Sequence, residues 1–289
     1  MATQSRNLLE SLFDAAVGAA HPSHCLPPSL PDPPQRGRLI VLAAGKGAGS
    51  LTEVAESYYL ARMPADRIEG VAVTRHGYGR PTRRIAMVEA GHPVPDEAGL
   101  KGTERALTLA DTAGEDDLVL VLLSGGASAN WIAPAAGVSF ADKQATTRAL
   151  LRSGANIGEI NCLRKHLSRI KGGRLAQHAF PARVVTLAIS DVPGDDPAVI
   201  GSGPTVADPT TLADARAVVR KYRLELPTAV IRALENPASE SPKPGGAAFA
   251  AADYRIVARP ADALKAAEVR ARAAGFDCIV LGDRLQGEA

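Results

Sequence analysis

The sequence predicts an α/β fold built on a parallel, doubly wound sheet. Three observations carry this. Arg38–Ala44, Leu118–Leu123 and Arg183–Ile189 are short apolar runs of the kind found in strands buried on both faces. Each is closed by a loop rich in glycine, serine or aspartate. Strand, loop and helix units then recur along the chain, as parallel crossovers require.

Residues 4–20 carry Leu8, Leu9, Leu12, Phe13, Ala16 and Val17 at helical spacing, an amphipathic helix expected to cover one face of the sheet. The proline-rich stretch His21–Gly37 reads as a connection. The first strand runs into Gly45–Ser50 and then a helical pattern of Leu51, Val54, Ala55, Tyr58 and Tyr59. That geometry places backbone amides at a helix N-terminus. Ile68–Thr74 and Ile85–Val88 are the next strands, followed by a helix over Gly99–Thr112. After the Leu118–Leu123 strand, Asp142–Arg152 reads as helix, and Asn161–Ala179 as helix broken at Lys171-Gly172-Gly173. The Arg183–Ile189 strand ends in Ser190–Asp196, and a helix spans Leu212–Tyr222. Glu235–Gly246, rich in proline, glycine and serine, is the expected boundary between a domain over 1–235 and a segment over 236–289. That segment reads as strand (Tyr254–Ala258), helix (Ala261–Ala274) and strand (Cys278–Leu281), the start of a second, incomplete α/β domain. Alone it has too small a core to stand.

Composition narrows the function. With 289 residues, 46% hydrophobic and 22% charged, the chain is an ordinary globular one. A net charge of +2 is too balanced to argue for nucleic acid or a membrane surface, and 4% aromatics supply no stacking platform. Cys25, Cys162 and Cys278 are far apart, with no metal-ligand spacing and no disulfide framework, which fits a reduced, cytoplasmic setting. No stretch has the pattern of a signal peptide or a membrane span. Self-association is left open.

In a parallel sheet the loops after the strands share one edge, so Gly45–Ser50, Ser124–Ser128 and Ser190–Asp196, with the Lys171–Gly173 break, should converge. Gly125 and Gly126 lack a Cβ and let backbone amides approach a phosphate or carboxylate, while Ser124 and Ser128 add hydroxyl donors. Lys46, Arg164, Lys165 and Lys171 supply cations, and Asp191, Asp195 and Asp196 supply carboxylates. The set suits phosphoryl transfer, in which cations and amides neutralise phosphate oxygens while carboxylates hold Mg²⁺ or accept a hydroxyl proton. Each signal has a plainer alternative. Lys46 reads equally as an exposed turn lysine, Ser124-Gly125-Gly126 as a tight turn, and Asp191 and the Asp195-Asp196 pair as caps. Asn161–Leu175 reads as a solvated basic helix, although Asn161, Arg164, Ser168 and Lys171 fall three or four apart, on one helical face. His92 and His166 are acid–base candidates or structural histidines, and Trp131 lines a pocket or the core. Neither GxxxxGK[ST] nor a dinucleotide GxGxxG follows the first strand.

Taken together, these stretches resemble the glycerate 2-kinase family (class II), whose members have also been labelled hydroxypyruvate reductases. The resemblance rests on FDAAV, AAGKGAGSL, GHPVPDEAG, LLSGGASAN with Pro134 and Gly137, GANIGEINCLRKHLSRIKGGRLA, LAISDVPGDDPAVIGSGPTVADPTT, and AAGFDCIVLGD with LQGEA. It runs from Phe13 to the last residue, and the block from Gly154 to Thr211 is too specific for a fold-level coincidence.

The resemblance implies a three-layer α/β/α Rossmann-like domain, a second α/β domain, and an active site in the cleft between them. It implies ATP- and Mg²⁺-dependent phosphorylation of D-glycerate to 2-phosphoglycerate. On the matching positions, Lys46 and Asp191 take catalytic roles. Ser124, Gly125, Gly126, Ser128 and Lys171 hold nucleotide phosphate, Asn161 and Arg164 hold substrate, and Asp191 with Asp195 holds the metal. The chain departs from the family in three places. Ala127 stands for a third glycine, with Asn130-Trp131 in place of two leucines; VARPADAL replaces a segment with an asparagine; and a C-terminal domain with another glycine-rich segment and further arginines is not in this sequence. An alanine methyl crowds any position with positive φ, so a changed loop is expected at Ala127. The alternatives to a glycerate 2-kinase are an NAD(P)H-dependent hydroxypyruvate reductase, which the missing dinucleotide fingerprint opposes, and a non-catalytic ligand-binding fragment.

Overall fold

A computed structural model describes residues 2–284. In chain order the elements are α1 (Ala2–Ala20), α2 (Pro22–Cys25), β1 (Leu39–Ala44), α3 (Ala48–Leu60), β2 (Ile68–Arg75), β3 (Ile85–Ala90), α4 (Glu97–Asp111), β4 (Leu118–Leu123), α5 (Ala127–Asn130) and α6 (Phe140–Arg152). There follow α7 (Ile157–His166), α8 (Arg174–Ala179), β5 (Arg183–Ile189), α9 (Leu212–Lys221), α10 (Thr228–Glu235), β6 (Ala252–Ala258) and α11 (Pro260–Ala273). Leu285–Ala289, which carry the LQGEA part of the resemblance, lie outside the described residues.

All six strands pair in parallel, in the order β3-β2-β1-β4-β5-β6. This is the doubly wound order with its switch point between β1 and β4, where the chain reverses its direction of travel across the sheet. The six residues of β1 and of β4 are all buried, as their uninterrupted apolar runs demand. The two-residue period of a strand divides them between two cores. Ile40, Leu42, Val119, Val121 and Leu123 face one side, against α4 and α8. Leu39, Val41, Leu118, Leu120 and Leu122 face the other, against Leu51, Ala55 and Tyr59 of α3. The three-layer Rossmann-like expectation is met.

A third apolar cluster is built by helices alone: Leu150 of α6, Ile160 and Leu163 of α7, Ala215 and Val218 of α9, and Val230 and Leu234 of α10. Its helices start where local chemistry says they should. Ser139 with Asp142, Asn156 with Glu159 and Thr211 with Asp214 each form a reciprocal capping box at the heads of α6, α7 and α9.

Four expectations change. β6 pairs with β5 as the sixth strand of the same sheet, so the segment read as opening a second domain completes the edge of the first. Cys278–Leu281 is not a strand; Ile279 and Leu281 are exposed, and among the described residues no strand pairs with this segment. α1 packs along α11 and α2 rather than over the sheet, leaving Leu9, Phe13 and Val17 exposed. Finally, α7 stops at His166. Ser168 forms an isolated bridge with Pro134, and its hydroxyl accepts from the amides of Ile170 and Lys171, which turns the chain out of helix. Ser168 and Lys171 therefore do not extend the helical face of Asn161 and Arg164.

Candidate functional site

The loops after β1, β4 and β5 come together at the carboxyl edge of the sheet, at the switch point. The Lys46 amide donates to Gly125 O at 2.8 Å, and the Gly47 amide donates to Ser124 Oγ at 2.8 Å. The β1 turn is therefore latched to the β4 loop, and two amides expected to face a ligand are spent inside the protein. The Lys46 side chain reaches across the same loop, with Nζ 3.8 Å from Asp191 Oδ2 and both side chains about half exposed. Asp191 also lies directly against Gly125: a Cβ on that glycine would fall inside the van der Waals shell of the carboxylate. Gly126 adopts φ 87°, and a Cβ there would meet the His92 ring at 2.7 Å. The left-handed residue of this loop is thus Gly126. Ala127 begins α5 in helical conformation, so the alanine at the family's third glycine position causes no distortion.

Lys171 is buried and donates from Nζ to Ser128 O (2.9 Å), Ser128 Oγ (3.1 Å) and Trp131 O (3.0 Å). The chain of contacts continues from Ser128 Oγ to Ser202 Oγ at 2.8 Å and on to Asn161 Oδ1 at 3.3 Å. Ser202 lies in a left-handed conformation, φ 64°, between Gly201 and Gly203, which share it. A serine held there costs backbone energy, the kind of strain that gathers at functional loops. The amides of Gly172 and Gly173 donate to the carbonyls of Ser202 and Gly203, which fixes the Lys171-Gly172-Gly173 turn.

These segments enclose a cavity of about 460 Å³ lined by Ser124–Ser128, Asn161, Arg164, Asp191 and Ser202. A smaller one, about 190 Å³, lies on the other side of Gly126 and Ser128 and is lined by His92, Lys143, Arg164 and Lys171. Burial, together with Arg164, pulls the Lys143 ammonium down to about 7. Burial, then Lys143 and Arg164, holds Lys171 well below its ordinary value, and burial lowers Arg164. His92 is lowered by burial, then by Lys46 and Arg75, against the pull of Asp191.

Of the residues read from the sequence, Lys46, Ser124, Gly125, Gly126, Ser128, Asn161, Arg164, Lys171 and Asp191 are brought together. Asp195 is turned away: its carboxylate pairs with Arg259 at 3.4 Å. Asp196 caps its own turn by accepting from the Ala198 amide. Lys165 points into the helical cluster and pairs with the fully buried Asp208 at 3.3 Å. His166 is fully buried on Cys162 O and Glu240, and Trp131 belongs to the core. Lys143 and Ser202 were not among the expected site residues. The Gly201-Ser202-Gly203 spacing is a legible signal for the second; Lys143 sits in an unremarkable polar helix.

Fold and site together define a doubly wound α/β protein with a cleft lined by glycine-loop backbone, serines, lysines and arginine at its switch point. A family model described as "Domain of unknown function (DUF4147)" matches residues 8–235. The chain belongs to that family, the glycerate kinase family that its motifs resemble. It is 46% identical, over 99% of its length and 63% of the relative's, to an Agrobacterium vitis protein provisionally named hydroxypyruvate reductase. It is 41% identical, over 82% of its length and 55% of the relative's, to a D-glycerate 2-kinase of Thermotoga maritima. The crystal structure of the glycerate kinase from Thermotoga maritima superposes with a TM-score of 0.83 at 37% identity, covering 95% of this chain and 64% of that one. The chain thus spans less than two-thirds of the length of each of these relatives. Among the described residues, no helix is long and apolar enough to cross a membrane.

Proposed function

We propose that the site phosphorylates D-glycerate at its 2-hydroxyl, with ATP as donor. The observation that carries the reading is the placing of Asp191 between Lys46 and the Gly125–Gly126 backbone, at the mouth of a cavity walled by serine, asparagine and arginine. Relatives named glycerate kinase support it. The larger cavity takes the nucleotide phosphates against the 124–128 loop, with Lys46 offsetting their charge. Arg164 and Lys171 draw the substrate's own anionic end inward. Asp191 orients the 2-hydroxyl and accepts its proton as the oxygen attacks the γ-phosphorus and the bond to ADP breaks.

The donor set fits Mg²⁺ entering on the nucleotide. Such an ion keeps several waters and needs only one or two carboxylates beside phosphate oxygens. Asp191 is exposed enough to serve, whereas Asp195 pairs one carboxylate oxygen with Arg259 and buries the other. Among the described residues, no group of three acidic, histidine or cysteine side chains forms a ready-made metal cage. When bound, Mg²⁺ would neutralise phosphate charge beside Asp191. The three cysteines are unpaired, in keeping with a cytoplasmic setting as part of the same proposal.

The reductase name carried by two Agrobacterium vitis relatives is the competing reading. A dinucleotide site uses free amides at the turn after the first strand. Here the amides of Lys46 and Gly47 are taken by Gly125 and Ser124. The test is a coupled ADP-release assay with ATP, Mg²⁺ and D-glycerate, beside NADH oxidation with hydroxypyruvate. Glycerate-dependent ADP release is expected; NADH oxidation in its place would reverse the assignment.

A further inference from the structure

The smaller cavity adds a third basic residue, Lys143, to the Arg164 and Lys171 of the proposed transfer site. Lys143, Arg164 and Lys171 all line it, and among the described residues no aspartate or glutamate does. Lys143 is buried, and its ammonium donates to two backbone carbonyls, Leu167 O at 3.0 Å and Arg164 O at 3.5 Å. An ammonium has three donors, so one remains. The Arg164 guanidinium makes no hydrogen bond or ion pair among the described residues, and burial alone lowers its basicity. Two buried lysines and the half-buried Arg164 guanidinium share this space with no counter-charge, and an anion bound among them would offset the cost of keeping them charged there.

We propose that this cavity is a carboxylate subsite, in which Lys143 and Arg164 grip the acid group of a small hydroxy acid. Its anionic character rests on the cavity itself; the identity of the acid rests on the kinase reading above. At about 190 Å³ the space is below the ~300–1,000 Å³ of pockets that bury drug-sized ligands, so the occupant is small and the nucleotide belongs next door. Gly126, Ser128 and Arg164 wall both cavities. An acid anchored at Lys143 therefore presents its hydroxyl across this shared wall, toward the side of Asp191. The groups facing Lys143 are Arg164, Lys171 and His92. Because Lys143 titrates near 7 when the cavity holds no anion, binding a carboxylate raises its affinity for protons. Above neutral pH, binding takes up protons, and affinity falls as pH rises.

The test is isothermal titration of D-glycerate without nucleotide, in Hepes and in Tris at pH 7.5, into the protein and its K143M variant. The two buffers differ in ionisation enthalpy and report proton uptake. Loss of a buried charge partner should weaken binding roughly thirtyfold or more and reduce the uptake. Thr147, on the same wall, supplies a second variant: T147E places a carboxylate beside Lys143 and should block the site even if K143M fails to fold. Parent-like affinity in a folded variant overturns the subsite, as does absence of glycerate binding by the parent. ADP release with an unchanged glycerate KM in K143M removes the subsite and leaves the kinase reading. Lys143-dependent glycerate binding without ADP release does the reverse.

Discussion

The Asp191 carboxylate rests on the backbone of Gly125, in space that any side chain at that position would fill. The φ of Gly125 is not in the left-handed region, so alanine is acceptable to the backbone there, and the three nearest atoms an alanine Cβ would meet all belong to the Asp191 carboxylate. Gly125→Ala should therefore leave the melting temperature close to the parent's while displacing the carboxylate. A shift of about 1 Å in a positioned group costs on the order of a hundredfold in rate. Steady-state ADP release by Gly125→Ala, set beside Asp191→Asn, measures it.

Ser202 separates two effects that usually travel together. Its hydroxyl bridges Ser128 and Asn161, while its backbone sits at φ 64°. Ser202→Ala loses the bridge and keeps the strain. Ser202→Gly loses the bridge but sheds roughly 1–2 kcal/mol of left-handed cost, less about 1 kcal/mol for the greater freedom of glycine when unfolded. Urea midpoints should rank glycine at or above alanine, and both variants should lose activity through the freed Ser128.

Asp208 is fully buried and holds Lys165, Thr210 and Ser241. Removing it strands Lys165 in the helical cluster. Asp208→Ala should lose about 3–5 kcal/mol of stability in urea unfolding. Replacing Lys165 by methionine in the same chain should recover part of that, because the stranded charge goes with it.

Lys143 makes stability depend on pH with a known sign. Its folded value is about 7, against an ordinary lysine value of about 10.4 when unfolded. The unfolded chain binds more protons between those limits, so the contribution of Lys143 to stability rises with pH from 7 upward. K143M should be the more stable protein below pH 7, by the order of 1–4 kcal/mol, as when buried charges give way to apolar groups. The gap should close as pH approaches 10. Melting curves of both proteins across that range, without added anion, follow it.

The strands were legible because runs such as Leu118–Leu123 have no stable place except a sheet buried on both faces. The meeting of Lys46, Ser124–Ser128 and Asp191 followed from the parallel order alone, since loops after parallel strands share an edge. Lys143 was not legible. Nothing in Ala141–Leu150 marks one lysine for burial; that is decided by α7 and the Gly126–Ser128 loop, which are distant in sequence and close over it only in the fold. Asp195 misled for a similar reason, since its partner Arg259 comes from beyond β6. The apolar face of α1 was visible, but periodicity reports only that a stripe exists, and α11 takes one side of it while Leu9, Phe13 and Val17 stay exposed.

The proposed transfer of phosphate to glycerate through Asp191, in the cleft at the β1–β4 switch point, can be tested on a single pair of proteins. The most direct measurement is ADP release by the parent and Asp191→Asn side by side, with ATP, Mg²⁺ and D-glycerate, and the product read by ³¹P NMR. The parent should yield 2-phosphoglycerate, and the variant should lose at least about a hundredfold in rate. Glycerate-dependent turnover that survives Asp191→Asn, or a folded parent that releases no ADP with glycerate, would contradict it.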